Sequence, residues 1–274
     1  MRKVINSIKE YLRNRFSLLY VNLLHTFQTD TAYYFNNIFN LVGTLVYSAT
    51  FILFFETIFS NTSSIAGYSK SEVYIFMMVA EFSFMFILFW SIDAITETGK
   101  MVNNGNLDLV LAKPVPSLFY VTFQKLSPMT LLREGPINIA ILVFLIDWRS
   151  LSIKPDDLIA GIFIFGLGQI ALNAFQFLAM IPVFWLGESK SIIDTTWGMM
   201  DHHIPLEGLP ESIKVAFTII FPTLISAAIP VSVILGKTDY MLALPLVLVI
   251  TIVFTFLKNL GWRMGLRSYT SASS

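Results

Sequence analysis

The sequence predicts an all-α, polytopic integral membrane protein with six transmembrane helices and an amphipathic helix at its N-terminus. Three observations carry this reading. Of 274 residues, 55% are hydrophobic and only 13% are charged, against roughly 25% charged in average soluble domains. Apolar residues recur in runs close to the ~20 needed to cross a ~30 Å hydrocarbon layer. The 18 Lys and Arg are also unevenly divided among the loops that such spans define. The same composition excludes other classes. Disorder requires low hydrophobicity with high net charge, whereas 18 acidic residues balance the 18 basic ones. Zero net charge gives no footprint for nucleic acid. With no cysteine, the chain has no disulfide framework, thiolate metal site or thiol nucleophile.

Residues 1–30 are not a cleavable signal, because Lys9, Glu10, Arg13 and Arg15 interrupt any apolar core. Instead Ile5, Ile8, Leu12, Phe16, Leu19 and Leu23 recur at spacings of three and four, placing an apolar stripe opposite a basic face. The segment is predicted to lie along the inner membrane surface. The first span is placed at 33–59, which carries only Glu56, and the second at 73–95, where Glu81 interrupts the run. A loop over 97–125 follows. The third span, 129–147, begins with Arg133, Glu134 and Pro136 and turns apolar after them. The fourth, 158–187, is free of charge throughout and too long for one perpendicular crossing. The sixth is placed at 240–258, with a tail over 259–274.

Residues 188–236 admit two courses. Either 188–214 is a polar loop and Val215 to Gly236 the fifth span, or part of the polar stretch is a buried fifth span. In the second case Pro222 and Pro230 break a helix that dips in from the outer face, since irregular backbone at membrane depth is tolerated where protein covers it. Both courses keep the termini on one side. Twelve Lys and Arg fall on the terminal side, namely Arg2, Lys3, Lys9, Arg13, Arg15, Lys100, Lys113, Lys125, Arg133, Lys258, Arg263 and Arg267, against four opposite. Enrichment of basic residues on the cytoplasmic side makes both termini cytoplasmic.

Little in the sequence supports catalysis. Gly236-Lys237-Thr238 lacks the earlier glycine of a phosphate-binding loop, since Val231 stands there. Asp201-His202-His203 has no third ligand at a metal-site spacing. Asn61-Thr62-Ser63 is only a formal glycosylation acceptor. Glu81 is more informative, because a carboxylate within a span is costly and normally faces protein. It reads either as hydrogen-bonded to a neighbouring helix, through Ser83, Ser48 or Thr50, or as a contact for a cationic substrate or a proton. Phe82, Phe84, Phe86 and Phe89 stand near it as a candidate aromatic wall.

The most specific signal is the loop Met101 to Val115. Met101, Val102, Leu107, Leu109, Val110 and Leu111 make it too apolar for a generic loop, Gly105 breaks the backbone, and Pro114 and Pro116 end the helix. It reads as a short amphipathic helix presented to a cytoplasmic partner. The run Gly105-x-Leu107-Asp108-x-x-Leu111-x-Lys113-Pro114-Val115 resembles the signature of ABC-2-type permeases, in the branch usually labelled uncharacterised or multidrug ABC transport permease. The tail Trp262-Arg263-x-Gly265-Leu266-Arg267-x-Tyr269-x-Ser271 is similar to the end of that branch. Ile204-Pro205, Gly208-Leu209-Pro210, Pro222, Pro230 and Gly236 resemble its proline-punctuated segment.

The resemblance implies the ABC-2 permease fold and a transport subunit rather than an enzyme, with no cofactor in this chain. ATP and Mg would bind a separate cytoplasmic ABC ATPase, present in two copies. It also implies a second permease subunit, in a homodimer or heterodimer within the plasma membrane. Gly105, Leu107, Asp108, Leu111, Lys113 and Pro114 would form the ATPase-coupling helix. The expected function is ATP-driven export of hydrophobic or cationic amphipathic compounds, with Glu81, Phe82 and Phe84 on the substrate path. A proton-coupled secondary transporter with no ATPase is the alternative.

Overall fold

The computed structural model describes residues 2–187, 190–198 and 208–270, and among these there is no β-strand. Asp201, His202, His203, Ile204-Pro205, Glu207 and Ser271 lie outside the described residues. Five helical stretches are long and apolar enough to cross a membrane: Phe35–Phe59, Lys70–Asn103, Pro128–Leu145, Pro155–Leu186 and Tyr240–Ser268.

Helix α1 (Arg2–Ala32) is separated from α2 (Tyr34–Phe59) by a single turn residue, Tyr33. Helix α3 (Lys70–Trp90) begins with a capping box, in which Ser69 accepts from the Glu72 amide while the Glu72 carboxylate accepts from the Ser69 amide. The path breaks at Ser91 and resumes as α4 (Ile92–Asn103). The helix thus runs well into the segment that hydropathy reads as loop, because Ala94, Ile95 and Thr98 are buried against protein. Short helices α5 (Asp108–Leu111) and α6 (Ser117–Phe123) precede α7 (Pro128–Leu145). Helix α8 (Pro155–Met180) starts with Pro155 and the acidic Asp156 and Asp157, which suit the free amides and positive dipole of a helix N-terminus. After α9 (Val183–Leu186) come α10 (Lys190–Gly198), α11 (Glu211–Val215), α12 (Ala228–Ile234) and α13 (Tyr240–Ser268). Helix α13 runs ten residues past Lys258, because its last turns pack on α9.

Helix α8 is the central element, packed against α13, α12, α10 and α3. Helix α3 pairs with α7. Half of the most apolar window is buried in the stretches Lys70–Asn103 and Pro155–Leu186, against 6% in Phe35–Phe59, so α2 lies at the periphery. One end of the molecule carries Asp108 and the other Lys237. Ile193 packs with Met180 and Val183 at the Asp108 end, whereas Leu209 packs near Tyr68, Val73 and Ile146 toward the Lys237 end.

From Glu211 the chain forms a re-entrant hairpin. Residues Lys214, Val215 and Ile219 share a groove with Thr238, Leu242 and Leu246 at the Lys237 end. The backbone then widens into a π-helical turn over Ala216–Ile220 and reaches mid-depth, where Phe221 meets Phe175 edge-on at 6.0 Å. Pro222 stands in the turn and Pro230 inside α12, which returns alongside α8. The return is seated on glycines. A Cβ at Gly168 would fall on the Ile225 carbonyl, and one at Gly161 on the Ile234 side chain. Backbones approach this closely only where side chains are absent.

The Lys237 end is closed by polar contacts. Lys237 donates to the Gly67 carbonyl at 2.9 Å, pairs with Glu72 at 3.2 Å and lies 4.3 Å from the Tyr68 ring centroid. Glu56 accepts from Lys70 at 2.7 Å and from the Tyr74 hydroxyl at 2.8 Å.

Candidate functional site

At the Asp108 end, α4 terminates where Gly105 takes φ +71°, a left-handed conformation that glycine adopts without the usual steric cost. The Leu107 amide donates back to the Met101 carbonyl at 3.2 Å, which swings the chain into α5. Four residues are too few for a helix to stand alone, and α5 is held by its underside. Leu107 is fully buried and Val110 nearly so, in a cluster with Ile95, Val121, Met180 and Trp262. Leu109 and Leu111 point away, 69% and 43% exposed. Lys113 is exposed, its ammonium 4.8 Å from the Tyr120 ring, and Pro114 follows it at the surface. An exposed apolar ridge on a firmly seated helix is a surface suited to docking.

The C-terminal motif forms the seat. The Trp262 indole donates to the Ser117 hydroxyl at 3.1 Å and packs edge-on against Phe177 and Phe184, each centroid 5.6 Å away. A Cβ at Gly265 would fall on the Phe184 ring, and Tyr269 meets the same ring at 6.3 Å. Burial, with the Asp108 carboxylate nearby, raises the Tyr269 phenol above its ordinary range. The two motifs at 105–115 and 262–269 are thus one structural unit, although about 150 residues separate them.

The candidate substrate residues are not brought together. Glu81 is half-buried and lines a small pocket with Tyr47, Ser48, Phe51, Tyr74 and Met77. Phe84 instead faces the hairpin, beside Ser83, Leu172, Thr223 and Leu224. Phe82 is half-buried, and Phe86 meets Phe165 at 5.9 Å. By the 100° step of the helix, Phe82 and Phe86 share one face of α3 whereas Phe84 stands about 160° from each, so Phe84 does not join them in a single wall. Of the hydroxyls considered as partners for Glu81, Ser83 accepts from Gln169 at 2.8 Å and Thr50 donates to the Val46 carbonyl at 2.8 Å.

A further buried polar cluster escapes the sequence reading, which counts Lys258 among the positive charges of the tail side. Lys258 is 7% exposed. Its ammonium donates to Thr122 Oγ1 at 3.0 Å and Asn173 Oδ1 at 2.8 Å and lies 4.5 Å from the Phe177 ring centroid. Asn173 in turn donates to Ser91 Oγ at 2.7 Å, and Ser91 donates to Gln176 Oε1 at 3.0 Å. Nearby, Gln124 donates to Thr98 Oγ1 at 2.9 Å and the Ala94 carbonyl at 3.1 Å, bridging α4 to the residue after α6. The signal available in sequence was Gln169, Asn173 and Gln176, at spacings of four and three on a helix that carries no charge after its first turn.

Among the described residues no group of three or more His, Asp or Glu is placed to hold a metal. No curated protein and no solved structure matches the chain. The family model described as ABC-2 family transporter protein matches residues 45–273, which takes in the buried seat, the ridge above it, the hairpin and the helical bundle from the middle of α2 onward. With its apolar spans and helical architecture, the chain belongs to the ABC-2 transporter family and is a multi-pass membrane permease subunit of an ABC transporter.

Proposed function

We propose that the chain is the permease of an ATP-driven exporter of hydrophobic or cationic amphipathic compounds, working with two copies of a cytoplasmic ABC ATPase and a second permease subunit, identical or different. The observation that carries this reading is α5, with Leu107 and Val110 buried beneath and Leu109 and Leu111 exposed above. Such a ridge fits an apolar groove on a partner that binds and hydrolyses ATP. The sequence lacks the phosphate-binding loop needed to do this itself. Closure of two nucleotide-loaded partners would draw the α5 ridges together and rearrange the spans, with both termini cytoplasmic and the Lys237 end outward in the plasma membrane.

The substrate class rests on Glu81 and its neighbours. A carboxylate beside Tyr47, Phe51 and Tyr74 offers a cation both charge and aromatic faces. Replacement of Asp108 or Leu111 is expected to uncouple ATP hydrolysis from export while the protein remains in the membrane. Unaltered coupling in both variants would refute the docking role. Glu81→Gln is expected to lower resistance to cationic toxins selectively, and undiminished resistance would remove Glu81 from the substrate path.

A further inference from the structure

Resting on that reading, we infer that Lys258 is the positioning residue through which displacement of the docking segment reaches the membrane spans. The segment enters through α4 and leaves through α6, and both flanks are tied to the same buried cluster. Lys258 stands on α13 and bonds Thr122 on α6 and Asn173 on α8. Asn173 passes the connection to Ser91, at the break between α3 and α4, where Gln176 of α8 also bonds. Four separate parts of the fold therefore meet in one chain of directional contacts.

A buried amine responds differently from an apolar side chain when its neighbours move. Apolar surfaces can slide past one another, exchanging one set of contacts for another of similar energy. An amine at 7% exposure has no water to replace a lost acceptor, so separation of α6 from α13 leaves a buried donor unsatisfied. Displacement of α6 by an ångström or two must then carry α13 and α8 with it. Stability alone does not account for this lysine. No carboxylate among the described residues pairs with it, and an apolar side chain of similar length would fill the site without the desolvation cost. Its placement at the junction of the docking segment with the spans accounts for it.

The test uses the permease copurified with its ATPase. The chain has no cysteine, so single reporters are clean. Asn104→Cys, exposed beside α5, reports docking by its shielding from a membrane-impermeant maleimide. Thr218→Cys, in the hairpin at the groove shared with Lys214 and Leu242, reports the far end. In the otherwise unsubstituted complex, the ATPase shields position 104, and ATP with vanadate changes the labelling rate at position 218. Lys258→Met is expected to keep the shielding and reduce the nucleotide-driven change at 218 about tenfold, within the range of residues that transmit coupling. Lys258→Arg is expected to restore most of it. A full nucleotide response in Lys258→Met would overturn the inference while leaving the docking reading intact. Absence of shielding at 104 in the Lys258 chain would overturn the docking reading and the inference together. If Lys258→Met fails to accumulate, Thr122→Val, which removes the acceptor on α6 together with its own donation to the Leu118 carbonyl one turn back, decides between the same outcomes.

Discussion

Leu107 and Leu109 lie two residues apart, yet the first has no exposed surface and the second is 69% exposed, so truncating each should give opposite phenotypes. Leu107→Ala removes three buried heavy atoms and leaves a cavity beneath α5, a change that costs about 2–5 kcal/mol in well-packed sites. A four-residue helix has no propensity reserve to absorb that loss, so the expected result is detachment of the segment between Asn104 and Lys113 and a lower melting temperature. Leu109→Ala removes surface that touches little within the chain. Its effect on stability should stay within about 0.5 kcal/mol. Its effect on the partner should be larger, about 1–2 kcal/mol or roughly 5–30-fold in affinity, as for an apolar anchor in an interface. Tryptophan fluorescence on heating follows the first quantity, because Trp262 lies in the affected cluster. Titration with the purified ATPase follows the second. Equal melting losses in the two variants would refute the assignment of faces. Unchanged ATPase affinity in Leu109→Ala would refute the docking ridge.

Other positions give equally direct tests. Gly168→Val should destabilise the protein by about 1–3 kcal/mol through overpacking against the Ile225 carbonyl, whereas Gly166→Val, with open space around it, should change the melting temperature little. Lys237→Met removes contacts to Gly67, Glu72 and Tyr68, and amide exchange in residues 65–69 should quicken, with a smaller difference between wild type and variant at high salt. The raised Tyr269 phenol stays protonated in the fold at pH values where an unfolded tyrosine ionises, so its contribution is full below pH ~10 and declines as pH rises beyond that. Tyr269→Phe should flatten that part of the stability profile, and an identical alkaline decline in both proteins would show that the phenol is not its source.

Hydropathy reads the parts of this molecule that face lipid and is blind to the parts that face protein. The apolar cores of α2, α3, α8 and α13 were visible as apolar runs with at most one charge, because lipid contact demands them. The extensions of α4 to Asn103 and α13 to Ser268 were not, since both leave the hydrocarbon and are stabilised by packing around Trp262. The docking segment was legible through Gly105, Pro114 and Pro116, which punctuate the backbone. Four residues contain barely one helical turn, so no periodicity could separate buried Leu107 and Val110 from exposed Leu109 and Leu111. Lys258 was misread for a related reason. A lysine closing an apolar run looks like an interfacial charge, and only residues 85 and 136 positions away show that it turns inward. Glu81 and Phe84, three residues apart, share a face by helical spacing, and their meeting different neighbours is a property of the assembled bundle.

The glycine seam on α8 sets a rule for how this chain can vary. Gly161 and Gly168 fix the rotation of α8 against the hairpin, and Asn173 and Gln176 fix it against α13, α6 and the Ser91 break. One residue added or removed between positions 168 and 173 would turn one end about 100° relative to the other. The hairpin and the lysine cluster could then not both be satisfied. Surface positions of α8 such as Ile159, Ile162 and Phe163 can exchange freely among apolar residues, but the five-residue interval cannot change in length. Sequences that share this architecture should therefore show no insertions or deletions there, however far their lipid-facing surfaces have diverged.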